Sequence, residues 1–151
     1  MGLEEKLRQL GYVLPQSKSF GAYVPARRAG GHVYVSGQLP LSEGKLVATG
    51  PVPSACSIDQ AKQAARWCVV NALAAVKALE GSLDKVIGVL RVGAFVASDA
   101  DFTQQPQVAN GASDFLIELF GDAGRHVRAA VGTNVLPLNA SVEIEFIFEM
   151  A

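Results

Sequence analysis

Arg128 lies in the segment His126-Val-Arg-Ala-Ala-Val-Gly132, a charged side chain leaving a nearly apolar stretch. Desolvation there demands a partner. A guanidinium is a planar five-donor fork that matches a carboxylate held by two parallel hydrogen bonds, so the carboxylate of a small molecule is one candidate. An internal salt bridge to a strand glutamate is the other, and spacing alone favours it. Glu143 opens the polar face of the final alternating segment. If that segment pairs antiparallel with the one carrying Arg128, its carboxylate points into the same pocket and can orient or deprotonate a water. The alternative, which spacing again favours, is a solvated acidic stripe shared with Glu145 and Glu149. Tyr23, Ser36 and Asn110 are polar groups at element ends, able to pack against or hydrogen-bond a small ligand. His126 would share a strand face with Arg128 as a proton carrier. A surface or structural histidine is the plainer reading.

Familiar catalytic signatures are missing from the sequence: it has no Gly-rich phosphate loop, nucleophile elbow, His-Glu-x-x-His or plausible Ser/His/Asp set. Cys56 and Cys68 lack the paired spacing of a zinc or redox motif and read as small buried hydrophobes in a reducing cytosol. With only His32 and His126 besides, a structural metal is not expected.

The elements that must position these groups follow from periodicity. Leu3, Leu7 and Leu10 form a short amphipathic helix that Gly11 stops, a docked N-terminal appendage over residues 1–11. Residues 22–25 and 32–36 read as strands joined by a Gly30-Gly31 turn, with Ser36-Gly37-Gln38 breaking the second. Residues 45–49 make another short strand. Ser57-Ile58-Asp59-Gln60 is a capping box opening a long helix with the stripe Ile58, Ala61, Ala65, Cys68, Val69, Ala72, Val76 and Leu79, where Trp67 has a packing role, and Gly81 caps it. Residues 86–97 read as a central strand buried on both faces, with Gly88 and Gly93 marking bulges or close backbone approach. Residues 103–120 form a second helix, buried through Val108, Ala112, Phe115, Leu116 and Leu119. Residues 127–135 and 141–150 are two more strands, the last alternating strictly.

The chain has 151 residues, half of them apolar and 18% charged, which suits one domain over residues 1–151. A net charge of -1 and a pI near 6.1 exert no broad pull on phosphate backbones or anionic membranes, so nucleic acid is an unfavoured partner. The charged N-terminus lacks the apolar core of an export signal, and the longest nearly apolar run is far shorter than the roughly 20 residues a membrane span needs. A cytoplasmic location is expected. The class is α+β, one mixed sheet of five or six strands against two long helices. Two helices cover only one sheet face, and the mean hydropathy of +0.26 is high for a monomer of this size. An oligomer burying the other face is expected.

The runs Tyr23-Val24, Val35-Ser36-Gly37-Gln38, Val127-Arg128, Leu136-Pro137 and Val142-Glu143-Ile144-Glu145 together resemble the YjgF/RidA family over nearly the whole chain. Residues 10–15, Asn110-Gly-Ala-Ser-Asp114 through Phe120-Gly121 and Gly124-Arg-His126 look like its longer branch. The resemblance implies a chorismate-mutase-like fold, a homotrimer with pockets between subunits, and hydrolysis of enamines and imines such as 2-aminoacrylate to 2-oxo acids and ammonia, with no cofactor. It also implies that Arg128 binds the substrate carboxylate, that Glu143 works on a water, and that Tyr23, Ser36, Gly37 and Asn110 line the pocket. Ala130 stands where the short branch commonly has cysteine, a tolerable change if the backbone N–H acts there. Two further readings are a non-catalytic trimer binding a small carboxylate, and an endoribonuclease or translation inhibitor; charge disfavours the latter.

Overall fold

The computed structural model describes residues 1–18 and 21–151. Its elements in chain order are α1 (Leu3–Gln9), β1 (Ala26–Ala29), β2 (His32–Gln38), β3 (Leu41–Ser42), β4 (Lys45–Leu46), α2 (Ile58–Glu80), β5 (Val86–Ala97), α3 (Gln105–Phe120), β6 (Val127–Thr133) and β7 (Val142–Met150). Five strands form one mixed sheet in the order β1-β2-β7-β5-β6, while β3 and β4 pair in a separate ribbon. Only β5 and β6 run parallel, as a strand–helix–strand crossover through α3 requires. The class is α+β as expected, with both long helices on one side of the sheet.

Each helix is built by its sequence. Ser57 accepts from the Gln60 backbone while the Gln60 side chain accepts from the Ser57 N–H, closing the capping box of α2, worth about 1 kcal/mol. Gly81 ends the helix with φ 85°, where a side chain would be strained. Ala61, Ala65, Cys68, Val69, Ala72 and Val76 are buried as the stripe predicts, whereas Leu79 is exposed in the last turn. Against them pack Ile144, Phe146 and Phe148 of β7, each almost fully buried and worth about 1.5–3 kcal/mol. The α1 appendage docks through buried Leu7, a Lys6 Nζ bond to the Leu119 carbonyl at 3.0 Å and a Lys77–Glu4 ion pair at 3.1 Å.

Gly111 marks where α2 and α3 cross. A Cβ there would lie 2.3 Å from the Lys62 carbonyl oxygen, inside backbone that cannot swing away. At an ordinary helix site Gly→Ala stabilises by roughly 1 kcal/mol. Gly111→Ala is instead expected to destabilise by about 1–3 kcal/mol, read from the denaturation midpoint, because it pries the two helices apart.

Several expectations are corrected. The first strand is β1, four residues later than residues 22–25, because a two-residue Gly30-Gly31 turn pairs the residues immediately beside it, Ala29 with His32. β2 continues to Gln38, with its register against β7 irregular after Val35. The residue 45–49 strand shortens to β4 and joins β3 instead of the main sheet. The second long helix begins at Gln105, not residue 103. β5 has the expected bounds and irregular pairing at Gly88, but Ile87 is 47% exposed, so its second face is not buried in one chain. β6 and β7 are not neighbours: β5 lies between them.

Candidate functional site

Arg128 occupies an edge strand, so its side chain stays exposed and needs no buried counter-ion. This overturns the burial argument drawn from its apolar flanks. Among the described residues it makes no salt bridge. Arg128 pairs in register with Val92, which pairs with Phe146, and both of these are core residues, so Arg128 projects on the helix side of the sheet. There its Nη1 donates to Asn110 Oδ1 at 2.7 Å and to Ser113 Oγ at 3.1 Å, both on α3. The two Nη1 protons are thereby used, and Nε and Nη2 have no partner among the described residues. This leaves the side-on edge suited to a carboxylate.

The surrounding hollow, about 260 Å³, is lined by Asn110, Ser113, Asp114, Ile117, Arg125, His126 and Arg128. His126 shares it with Arg128, with Nε2 2.8 Å from Ser113 Oγ and Nδ1 2.7 Å from the Gly124 carbonyl. Burial pulls the His126 pKa below its ordinary value. Ala130 follows Arg128 on the same face of β6, partly buried against the core. Ser113 escaped the sequence reading, because a small residue on a buried helix face reads as core. Its spacing of three from Asn110 was the available signal.

Glu143 belongs to a second cluster. It alternates with buried Val142 and Ile144, and it pairs with Phe95, itself level with exposed Val131, so its carboxylate lies on the open face of the sheet. It rests over β2: a Cβ on Gly37 would meet Glu143 Oε2 at 2.7 Å, so a side chain there would push the Glu143 carboxylate aside. Ser36 is adjacent, with Oγ donating to the Pro25 carbonyl at 3.2 Å. Tyr23 is half exposed and lines neither hollow. A larger hollow of about 460 Å³ on this face includes Ser36, Tyr34, Arg27, Arg91 and Glu145, but its Arg91 is already paired with Glu145 at 3.0 Å. The chemistry-bearing groups therefore fall on opposite faces of one chain.

Glu143 is half-buried, as is Glu145, whereas Glu149 on the same face of β7 is exposed. Burial, reinforced by the nearby Glu145 charge, raises the Glu143 pKa above the ordinary carboxylate value. Such a group costs stability once ionised: the cost is absent below the unfolded pKa and fully present above the folded one. Glu143→Gln is therefore expected to raise the thermal midpoint at pH 7 and to lose that advantage below about pH 4. A pH series of melting curves checks this.

Among the described residues, no group of His, Cys, Asp and Glu could hold a metal ion, and no helix is long and apolar enough to cross a membrane. Against known proteins, the family model described as "YjgF/chorismate_mutase-like, putative endoribonuclease" matches residues 4–150. Protein TCP17 of Trypanosoma cruzi is 37% identical over 146 residues, covering 95% of this chain and 91% of that protein. A crystal structure from Agrobacterium tumefaciens, of unknown function, superposes with TM-score 0.89 at 46% identity, covering 98% of this chain and 91% of the other. One from Shewanella oneidensis, carrying the same endoribonuclease description, gives 0.92 at 30% identity over 98% and 99%.

Proposed function

This chain belongs to the YjgF/chorismate-mutase-like family, matched over residues 4–150, and from that premise we propose that it hydrolyses short 2-imino acids and their enamine tautomers, 2-aminoacrylate among them, to 2-oxo acids and ammonia. The observation that carries this reading is the free Nε–Nη2 edge of Arg128 in a hollow of about 260 Å³. That volume falls below the roughly 300–1,000 Å³ of sites for drug-sized ligands. A short acid suits it.

The reaction asks little of the protein. A protonated imine carbon is already electrophilic. Arg128 holds the substrate carboxylate, and a water at Glu143 attacks the imine carbon while Glu143 takes its proton. The carbinolamine then passes a proton to nitrogen, the C–N bond breaks as the C=O bond forms, and ammonia leaves. A carboxylate whose pKa is raised is better matched to moving a proton near neutrality than an ordinary one.

Arg128 and Glu143 sit on strands separated by β5, roughly 10 Å apart across the sheet and on opposite faces. One chain cannot bring them to one substrate. The reading therefore places Arg128 of one chain against Glu143, Gly37 and Ser36 of the next. A site shared between two different patches repeats head to tail, and three copies form the ring. The open face, with Tyr34, Ile87, Val127 and Val131 exposed, supplies apolar surface for that contact.

The family's endoribonuclease description finds little support at this hollow, whose lining has no Phe, Tyr or Trp on which a base could stack and whose one imidazole, His126, is tied at both nitrogens. The test is to generate 2-aminoacrylate in place with an amino-acid dehydratase and follow 2-oxo acid formation. Added protein is expected to accelerate it severalfold at micromolar concentration, with a sedimentation mass of three chains. A rate equal to the uncatalysed one rejects the reading.

A further inference from the structure

The Arg128 hollow holds a chain of hydrogen bonds whose direction is fixed at its far end. The Gly124 carbonyl only accepts, so His126 Nδ1, 2.7 Å away, carries a proton. In the neutral imidazole Nε2 is then the bare nitrogen, and the Ser113 hydroxyl 2.8 Å from it must donate. That donation leaves the Ser113 oxygen to accept from Arg128 Nη1 at 3.1 Å, while Asn110 Oδ1 takes the other Nη1 proton at 2.7 Å. Every proton in the chain has one place to go. Ser113 is 8% exposed, so water has little access to replace these bonds.

We propose that Ser113 and His126 are positioning residues that lock the Arg128 guanidinium with its Nε–Nη2 edge turned to the ligand carboxylate. Asn110 alone fixes one Nη1 proton and leaves the guanidinium free to pivot about that bond. The Ser113 bond removes the pivot, and His126 removes the hydroxyl's own freedom by taking its proton. The ligand side of this inference rests on Arg128 binding a carboxylate. The hydrogen-bond chain does not.

Protonation of His126 breaks the direction of the chain. Nε2 becomes a donor, so the Ser113 oxygen faces two cationic donors, Arg128 and His126, and its own proton loses its acceptor. Burial opposes that protonation first. The Gly124 carbonyl bond works the other way, and the Arg128 charge adds to burial. The other charged groups on the hollow are Asp114 from α3 and Arg125 from the turn before β6, the latter 3.4 Å from Asp122. The lock is thus closed at neutral pH and opens as His126 gains its proton.

Nuclear magnetic resonance of the full-length protein without ligand, with labelled arginine and histidine, reads the lock directly. At pH 7 His126 is expected as the Nδ1–H tautomer, with Arg128 Nη proton signals separated by slowed rotation; they merge as His126 titrates. Ser113→Ala merges them at every pH. His126→Gln, whose Oε1 still accepts from Ser113 but does not titrate, keeps them apart further into acid. Calorimetry with pyruvate should show affinity about tenfold weaker in Ser113→Ala and an acid limb lost in His126→Gln. Unchanged Arg128 signals and pyruvate affinity in Ser113→Ala overturn the inference. Ordered, pH-dependent Arg128 signals in a wild type that fails to bind pyruvate uphold the lock and reject the ligand class proposed above.

Discussion

Arg128→Ala is expected to lower kcat/KM for 2-imino acids by about 100- to 1,000-fold, the roughly 3–4 kcal/mol of a charged bidentate pair lost from one side. The loss falls on KM and kcat together, because the carboxylate is held in ground and transition states alike and its grip also sets the imine carbon before the water. Arg128→Lys recovers charge without the fork and is expected to stay well below wild type. Stability is the internal control. The side chain is exposed and makes no ion pair among the described residues, so the loss of its bonds to Asn110 and Ser113 should lower the unfolding free energy by only about 1–2 kcal/mol. Equal turnover by wild type and Arg128→Ala would falsify the role given to this residue.

Glu143→Gln should separate the chemical step from binding. The amide keeps the size and the contact over Gly37 but cannot take a proton from water, so kcat is expected to fall about 100-fold. Binding of pyruvate should change less than about threefold, since the carboxylate is held elsewhere. The same substitution should stabilise the protein at neutral pH, because it removes a charge that burial and Glu145 disfavour. Greater stability with lost turnover is what a strained catalytic group produces. If the protein is instead a carboxylate-binding module, Glu143→Gln leaves all ligand responses intact and there is no turnover to lose.

Much of the fold was legible wherever a local signal had one physical meaning. The capping box and Gly81 bracket α2, and the Val- and Ile-rich run of β5 fills its strand from end to end. β1 was misplaced because Tyr23-Val24 looks more strand-like than Ala26-Arg-Arg-Ala29. Arg28 nevertheless suits a strand: its guanidinium reaches Glu80 at the end of α2. The order of strands is a long-range property, and nothing in the last two segments says that β5 runs between them. That gap cost the site its geometry. Only direct pairing of the last two strands would bring Arg128 and Glu143 to one pocket within a chain, and the register puts them on opposite faces.

The Asn110–Arg128 contact links two positions that the family resemblance had named and that lie 18 residues apart. Ser113 and His126 were harder to see, since a buried serine and a lone histidine each have plainer explanations. Only their hydrogen bonds, ending on Gly124, show that they form one chain with Arg128. The split between the two faces has a functional consequence. Under the function proposed above, each face holds half of what imine hydrolysis requires, and a neighbouring chain supplies the other half.

Mixing the two disabled variants tests this division most directly. Arg128→Ala and Glu143→Gln chains, each inactive alone, are unfolded together in equal amounts and refolded into common assemblies. A site drawing Arg128 from one chain and Glu143 from the next is whole in about a quarter of random neighbour pairs, so activity should return to roughly 25% of wild type. A mixture no more active than either parent contradicts the shared site.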